Sequence, residues 1–191
     1  MSLPRTIYNP IIGDKVTFLE TAEETGGERV TVEVELAPEG KNGLHYHTTY
    51  LEHFEVVKGE LGLQVGKEIL YLRRGGTADV ALYVRHLFFN PSKKEPVTFR
   101  VTISPAGGFE DTLRIAYGLA ADGRVDKKGI PLKFSHLAVL LDIGETYLPF
   151  MPYWFQRRLF RYLGKRARRK GVMKELEPYY KRTETPVGAS V

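Results

Sequence analysis

Residues 29–36, RVTVEVEL, alternate without a break: Val30, Val32, Val34 and Leu36 fall on one side, charged or polar residues on the other. A period of two marks a strand with one face buried. Residues 96–104, PVTFRVTIS, repeat the pattern with Val97, Phe99, Val101 and Ile103. Shorter runs of the same kind cover 15–21, 52–57, 61–65, 68–72, 77–84 and 86–90, punctuated by Gly26-Gly27, Gly59, Gly66, Gly75-Gly76 and Pro91. Short strands at this density predict an all-β sandwich or barrel. Residues 7–14, IYNPIIGD, carry an Asn-Pro pair and a Gly-Asp pair and read as a loop, so 1–14 is expected to be a lead-in segment.

After Gly107-Gly108 the period changes. Residues 109–121 have acids in their first turn and apolar positions at Leu113, Ala116, Tyr117 and Ala120, the spacing of a helix that Asp122-Gly123 stops. Ser135 can cap a second helix from 136 to about 146, ended by Pro149; Pro152 can open a third, running to about 170 before Gly171. The expected organisation is a β-barrel over 1–106, a helical extension packed on it over 107–182, and a small, polar, flexible tail over 183–191. No internal repeat is present.

Charge separates the same two parts. The chain of 191 residues has a net charge of +5, but from Met151 onward eleven Lys or Arg face three Asp or Glu. The barrel part is mildly acidic and the tail strongly basic. On a helical wheel, Phe155, Leu159, Phe160, Tyr162, Leu163 and Ala167 gather on one side of the third helix. Arg157, Arg158, Arg161, Lys165, Arg168 and Arg169 gather on the other, with Trp154 at the start. Such a basic amphipathic helix can dock on its own barrel or on a dimer partner, lie in an anionic membrane surface, or meet nucleic acid. Nothing else in the chain points to nucleic acid. Trp154, Phe155, Arg157, Arg158, Arg161 and Lys165 are the candidate membrane or partner contacts. Cysteine is absent, which excludes disulfides and thiolate metal sites and fits a reducing compartment. Neither a secretory leader nor a run of eighteen apolar residues is present, so a cytoplasmic protein, peripheral at most to a membrane, is expected.

The candidate chemistry lies in residues 40–59, GKNGLHYHTTYLEHFEVVKG. His45 and His47 share one face of a strand, and two adjacent imidazoles make half of a metal site. Glu52 can add a carboxylate from the next strand if the chain reverses at 48–50, and His86 offers a fourth ligand. Three of the five histidines are thereby used; His53 is expected to point outward and His136 to be an ordinary helix-face residue.

These residues resemble the cupin superfamily. His45, His47, Glu52 and Gly59 match its first motif, H-x-H-x4-E-x6-G. Gly75, His86 and Asn90 match the second, which is broken where Ala81 and Tyr83 replace proline and glycine; Gly40 stands one residue too close to His45. The opening N-P-x-x-G-x-x-V-x-F-L, from Asn9 to Leu19, and the helical last third are similar to a group of small bacterial single-domain cupins, over roughly residues 8–145. The resemblance implies a jelly-roll barrel with a C-terminal helical extension. It also implies one divalent transition-metal ion (Fe, Mn, Ni, Cu or Zn) on His45, His47, Glu52 and His86, a small-molecule ligand, and pairing into a homodimer. Four protein ligands on an octahedral ion would leave two positions for a substrate or dioxygen. By alternation Phe54, Val56, Phe88 and Asn90 face inward as candidate pocket residues, and the same side chains would equally serve as barrel core. Tyr83 is a candidate for the pocket mouth. Two functions are compatible with these readings: a metal-dependent enzyme acting on a small organic molecule, with oxygenase chemistry ahead of isomerase or lyase chemistry, or a non-catalytic small-molecule binder or sensor. The motif consumes the histidines that would otherwise supply a general acid or base.

Overall fold

The structure, a computed structural model, describes residues 3–181. The tail expected at 183–191 lies outside the described residues. Eleven strands and four helices are present among them, in the order β1 (Thr6–Asn9), β2 (Asp14–Glu20), β3 (Val30–Leu36), β4 (Tyr46–His47), β5 (Leu51–Lys58), β6 (Glu60–Val65), β7 (Glu68–Arg73), β8 (Thr77–Val80), β9 (His86–Phe89), β10 (Val97–Ser104), α1 (Phe109–Ala121), α2 (Phe134–Ile143), β11 (Thr146–Tyr147), α3 (Tyr153–Arg169) and α4 (Val172–Tyr180).

The strands form a six-stranded antiparallel sheet, β1-β2-β3-β10-β5-β8, and a three-stranded sheet, β7-β6-β9, with β4 and β11 paired separately. The first part is thus two sheets around one core, and the whole chain is β-rich with a helical last third rather than all-β. Alternation does what the sequence pattern demands: Val30, Val32, Val34 and Leu36 of β3 and Val97, Phe99, Val101 and Ile103 of β10 are all buried. The register sets Val101 between Val32 and Phe54, and Ile103 opposite Glu52. Glu52 therefore stands on the buried face in line with Phe54 and Val56. Leu61 and Leu63 of β6 close the same core from the other sheet. Each such apolar side chain contributes about 1.5–3 kcal/mol on burial.

Two places depart from the sequence reading. The segment 1–14 is not wholly a loop, because β1 pairs with β2. The Oδ1 of Asn9 accepts the backbone N–H groups of Ile11 and Ile12 at 2.9 and 3.3 Å, and Gly13 takes a positive φ of 73°, so the chain reverses sharply onto β2. The strand expected over 77–84 ends at Val80, where the chain turns through Tyr83 at φ 65°.

The helical part is not a separate unit. Phe109, Leu113, Ala116 and Tyr117 of α1 join the core of the sheets. Its other side, with Ile115 and Leu119, packs on Val139, Leu140 and Leu176 of the remaining helices. The helix α4 escaped the sequence reading because Pro178 stands inside it. Gly118 lets it approach, since a Cβ there would lie 2.2 Å from the ring of Tyr179.

The helix α3 buries a different stripe from the one its wheel predicts. Its buried stripe is Gln156, Phe160, Gly164 and Ala167, while Phe155 and Tyr162 stay exposed with Trp154. Gly164 is the reason: a Cβ there would meet Asp142 of α2 at 2.4–2.7 Å, so this bare position, not the aromatic one, faces the neighbouring helix. Gln156 is satisfied by the backbone of Leu148 and Met151. His136, read as an ordinary helix-face residue, is fully buried, with Nε2 3.2 Å from Glu175.

Candidate metal centre

The histidine strand is held from both sides. His45 N donates to His86 O at 3.1 Å, and His86 N returns the bond to His45 O at 2.8 Å. On the other edge Tyr46 and His47 pair with Tyr147 and Thr146 of β11, so a short strand beyond α2 fixes the ligand-bearing segment. Sequence alternation gives no hint of this two-residue strand.

Backbone pairing brings three imidazoles together: one ring nitrogen from each of His45, His47 and His86 lies within 4.8 Å of the others. His45 Nδ1 sits 2.6 Å from Gly43 O, and His86 Nδ1 sits 3.0 Å from Val84 O. Each carbonyl fixes a proton on Nδ1 and so turns Nε2 toward the site. Glu52 enters from β5: its Oε2 lies 2.6 Å from His86 Nε2 and its Oε1 3.9 Å from His47 Nε2. The close pair lacks hydrogen-bond geometry, and both His86 Nε2 and Glu52 Oε2 are buried without another partner. Two such atoms at this distance suit a shared cation, whether a proton or a metal ion.

Electrostatics point the same way. Burial pushes the His45 imidazole down to about 4 and that of His47 down to about 3, so both are neutral at neutral pH, the form that ligates. Burial pushes Glu52 up, but the imidazole of His86 and the neighbouring histidines outweigh it and hold the carboxyl down to about 2. Burial lowers His86, yet Glu52 overrides it and raises this ring above its usual value. Two neutral imidazoles and a third ring held by an ionised carboxylate fit a divalent first-row metal ion.

A cavity of about 280 Å³ opens from these ligands. Phe54 and Phe88 stand on its wall with Val32, Val34, Val101 and Leu113. Other candidates lie elsewhere. Val56 is buried in the core but does not reach the cavity. Asn90 is a structural clamp: its Nδ2 donates to Leu36 O, Ala37 O and Glu95 O at 3.1, 3.1 and 2.9 Å, and its Oδ1 accepts from Ser92 N. Tyr83 is corrected outright: it is 57% exposed, packs edge-on against Tyr153 and does not line the cavity. A depression on the solvent face of the large sheet, lined by Glu20, Arg29, His53 and Arg100, is occupied by surface ion pairs and holds none of the ligands. His53 there is exposed and meets Asp79.

Several cavity residues escaped the sequence reading. Tyr50 is buried with its hydroxyl 3.3 Å from His47 Nε2 and donates to Gly144 O at 3.2 Å. Asp14, Thr112, Tyr117, Lys128 and Gly129 also line the cavity. Asp14 could have been found, since Asp14, Val16 and Phe18 alternate on one face of β2. Tyr117 lay in an apolar helix stripe that reads as core, and Lys128 comes from a loop with no pattern.

No protein-family model matches the chain, and no curated protein matches it. Solved structures similar to it include an RmlC-like cupin from Shewanella frigidimarina, 24% identical, covering 52% of this chain and 83% of that one with a TM-score of 0.46. A predicted oxalate decarboxylase from Thermotoga maritima is 17% identical, covers 48% and 80%, and gives a TM-score of 0.46. A sugar phosphate isomerase of the cupin superfamily from Silicibacter pomeroyi is 26% identical, covers 49% and 60%, and gives 0.44. What bears on function is the set of side chains described above.

Proposed function

We propose that this chain is a metal-binding cupin in which His45, His47, His86 and Glu52 hold one divalent transition-metal ion beside a cavity for a small, largely apolar organic molecule. The observation that carries this reading is the convergence of three buried or half-buried imidazole nitrogens within 4.8 Å, with an ionised carboxylate beside them. When bound, the ion supplies Lewis acidity or a redox centre. The chain's own residues do the rest. The carbonyls of Gly43 and Val84 orient two rings. Phe54, Phe88 and Leu113 exclude water. The Tyr50 hydroxyl, whose pKa burial pushes well up, stays protonated beside His47. Oxygenase chemistry is the favoured reaction class, and a non-catalytic binder or sensor is the alternative. Oxygen uptake by iron-loaded protein on a panel of small organic acids and phenols tests the choice. Substrate-dependent uptake is expected of the oxygenase; iron retained without turnover on any member supports the binder.

A second reading concerns where the protein works. Trp154, Phe155 and Tyr162 are exposed on one patch of α3 together with Arg158, Arg161 and Lys165. Aromatic rings among cations suit the headgroup layer of an anionic membrane. No helix among the described residues is long and apolar enough to cross a membrane.

A further inference from the structure

The metal ligands occupy only one end of the cavity. At the other end Tyr117 of α1 donates its hydroxyl to Asp14 Oδ2. Asp14 is 1% exposed, and its second oxygen, Oδ1, is buried with no hydrogen-bond partner. An unsatisfied buried acceptor costs about 1–3 kcal/mol, and one beside a cavity calls for a donor from outside the chain. Burial pushes the Asp14 carboxyl up to about 6 against the lowering bond from Tyr117, so at neutral pH it is mostly the acceptor form.

The helix α1 measures the distance between the two ends. Phe109 packs edge-on against Tyr50, beside His47, with ring centroids 6.1 Å apart. Tyr117, which meets Asp14, follows eight residues later in the same helix, about 12 Å along its axis at 1.5 Å per residue. The wall between is apolar: Val34, Val101, Leu113 and Ala116. Lys128 on the lining places positive charge there and disfavours a ligand that is itself cationic.

We infer that Asp14, with Tyr117 fixing its carboxylate, is a second anchoring point for the ligand, so that the cavity takes an elongated molecule with an oxygen group for the metal at one end, an apolar middle and a neutral hydroxyl donated to Asp14 Oδ1 at the other. The inference rests on the metal reading for the first end only. Asp14 touches none of the metal ligands and acts by positioning.

The test is calorimetric titration of zinc-loaded protein with a short homologous series of unbranched ω-hydroxy carboxylates, each matched to the ω-methoxy acid of the same length. One chain length should bind about tenfold more tightly as the hydroxy acid, the value of one hydrogen bond to a charged acceptor. In Asp14→Asn, which keeps the shape and presents N–H to the cavity, that preference should fall below about threefold while zinc content is unchanged. Tyr117→Phe removes the bond that lowers and orients the Asp14 carboxyl, so the preference should survive at about pH 8 but be lost at a higher pH than in the wild type, a shift that a merely structural Asp14–Tyr117 pair would not produce. The comparison is repeated with n-alkanols and their methyl ethers, which need no metal. Loss of zinc from the wild type would undercut the metal assignment without touching this second arm. Equal affinities for hydroxyl and methoxy probes in both arms, or no binding in either, would overturn the anchoring role.

Discussion

Glu52 Oε2 lies 2.6 Å from His86 Nε2, with both side chains almost wholly buried and neither atom in a properly directed hydrogen bond. Removing one member strands the other. In the metal-free protein His86→Ala should cost about 3–5 kcal/mol in denaturant unfolding, the usual penalty for leaving a buried charge without its partner. Adding Glu52→Gln to that variant should restore part of the loss, because a neutral amide tolerates burial better. A double-mutant cycle reads the coupling directly, and strictly additive losses would show that the two side chains do not interact.

Asp14 gives a pH dependence of definite sign. Its folded pKa, about 6, stands above the value of about 3.9 expected of an unfolded chain. The fold therefore favours the protonated form. The stability this contributes is fully present below about pH 4 and is lost as pH rises through 6, for a total of up to about 3 kcal/mol. Urea unfolding of wild type and Asp14→Asn at both ends of that window should show the wild type losing about that much relative to the variant. Parallel curves would mean that the carboxyl titrates normally.

Asn90 separates clamp from pocket. Its amide serves three carbonyls where β3, the turn after it and the approach to β10 meet. Asn90→Ala should destabilise by about 1–3 kcal/mol through those stranded acceptors while metal content stays at the wild-type level. A loss of metal with unchanged stability would place Asn90 in the site instead.

The aromatic and basic patch on α3 makes a prediction about lipid. Full-length protein should float with phosphatidylserine vesicles at low salt and remain behind with phosphatidylcholine vesicles. The double variant Trp154→Ala, Phe155→Ala should lose flotation. If the wild type stays unbound to both, the patch is no membrane contact, and concentration-dependent self-association would assign it to a second copy.

Much of this was legible in the residues because it depends on local period. The inward face of β3 and β10 follows from alternation alone, and so does the pairing of Glu52 with Phe54 on one face. The ligand types declared themselves because His45, His47, Glu52 and His86 are chemically distinctive and closely spaced. What stayed hidden depends on partners far away in the chain. Nothing near Thr146 shows that it will pair with His47. A wheel cannot show that Gly164, rather than Phe155, meets the neighbouring helix, because close approach at a glycine is a property of two helices together. Asp14 alternates with Val16 and Phe18 on β2, but the Gly13-Asp14 pair reads as a turn, and only Tyr117, 103 residues away, gives the carboxylate a role.

The central claim is that His45, His47, His86 and Glu52 share one ion. Elemental analysis after dialysis against a weak chelator decides it, on wild type and on His47→Ala, a variant whose fold is checked by circular dichroism. About one equivalent of a divalent transition metal per chain in the wild type, and almost none in the folded variant, is the predicted result. Equal metal in both proteins, or none in a wild type supplied with Fe, Mn, Ni, Cu and Zn in turn, would contradict it.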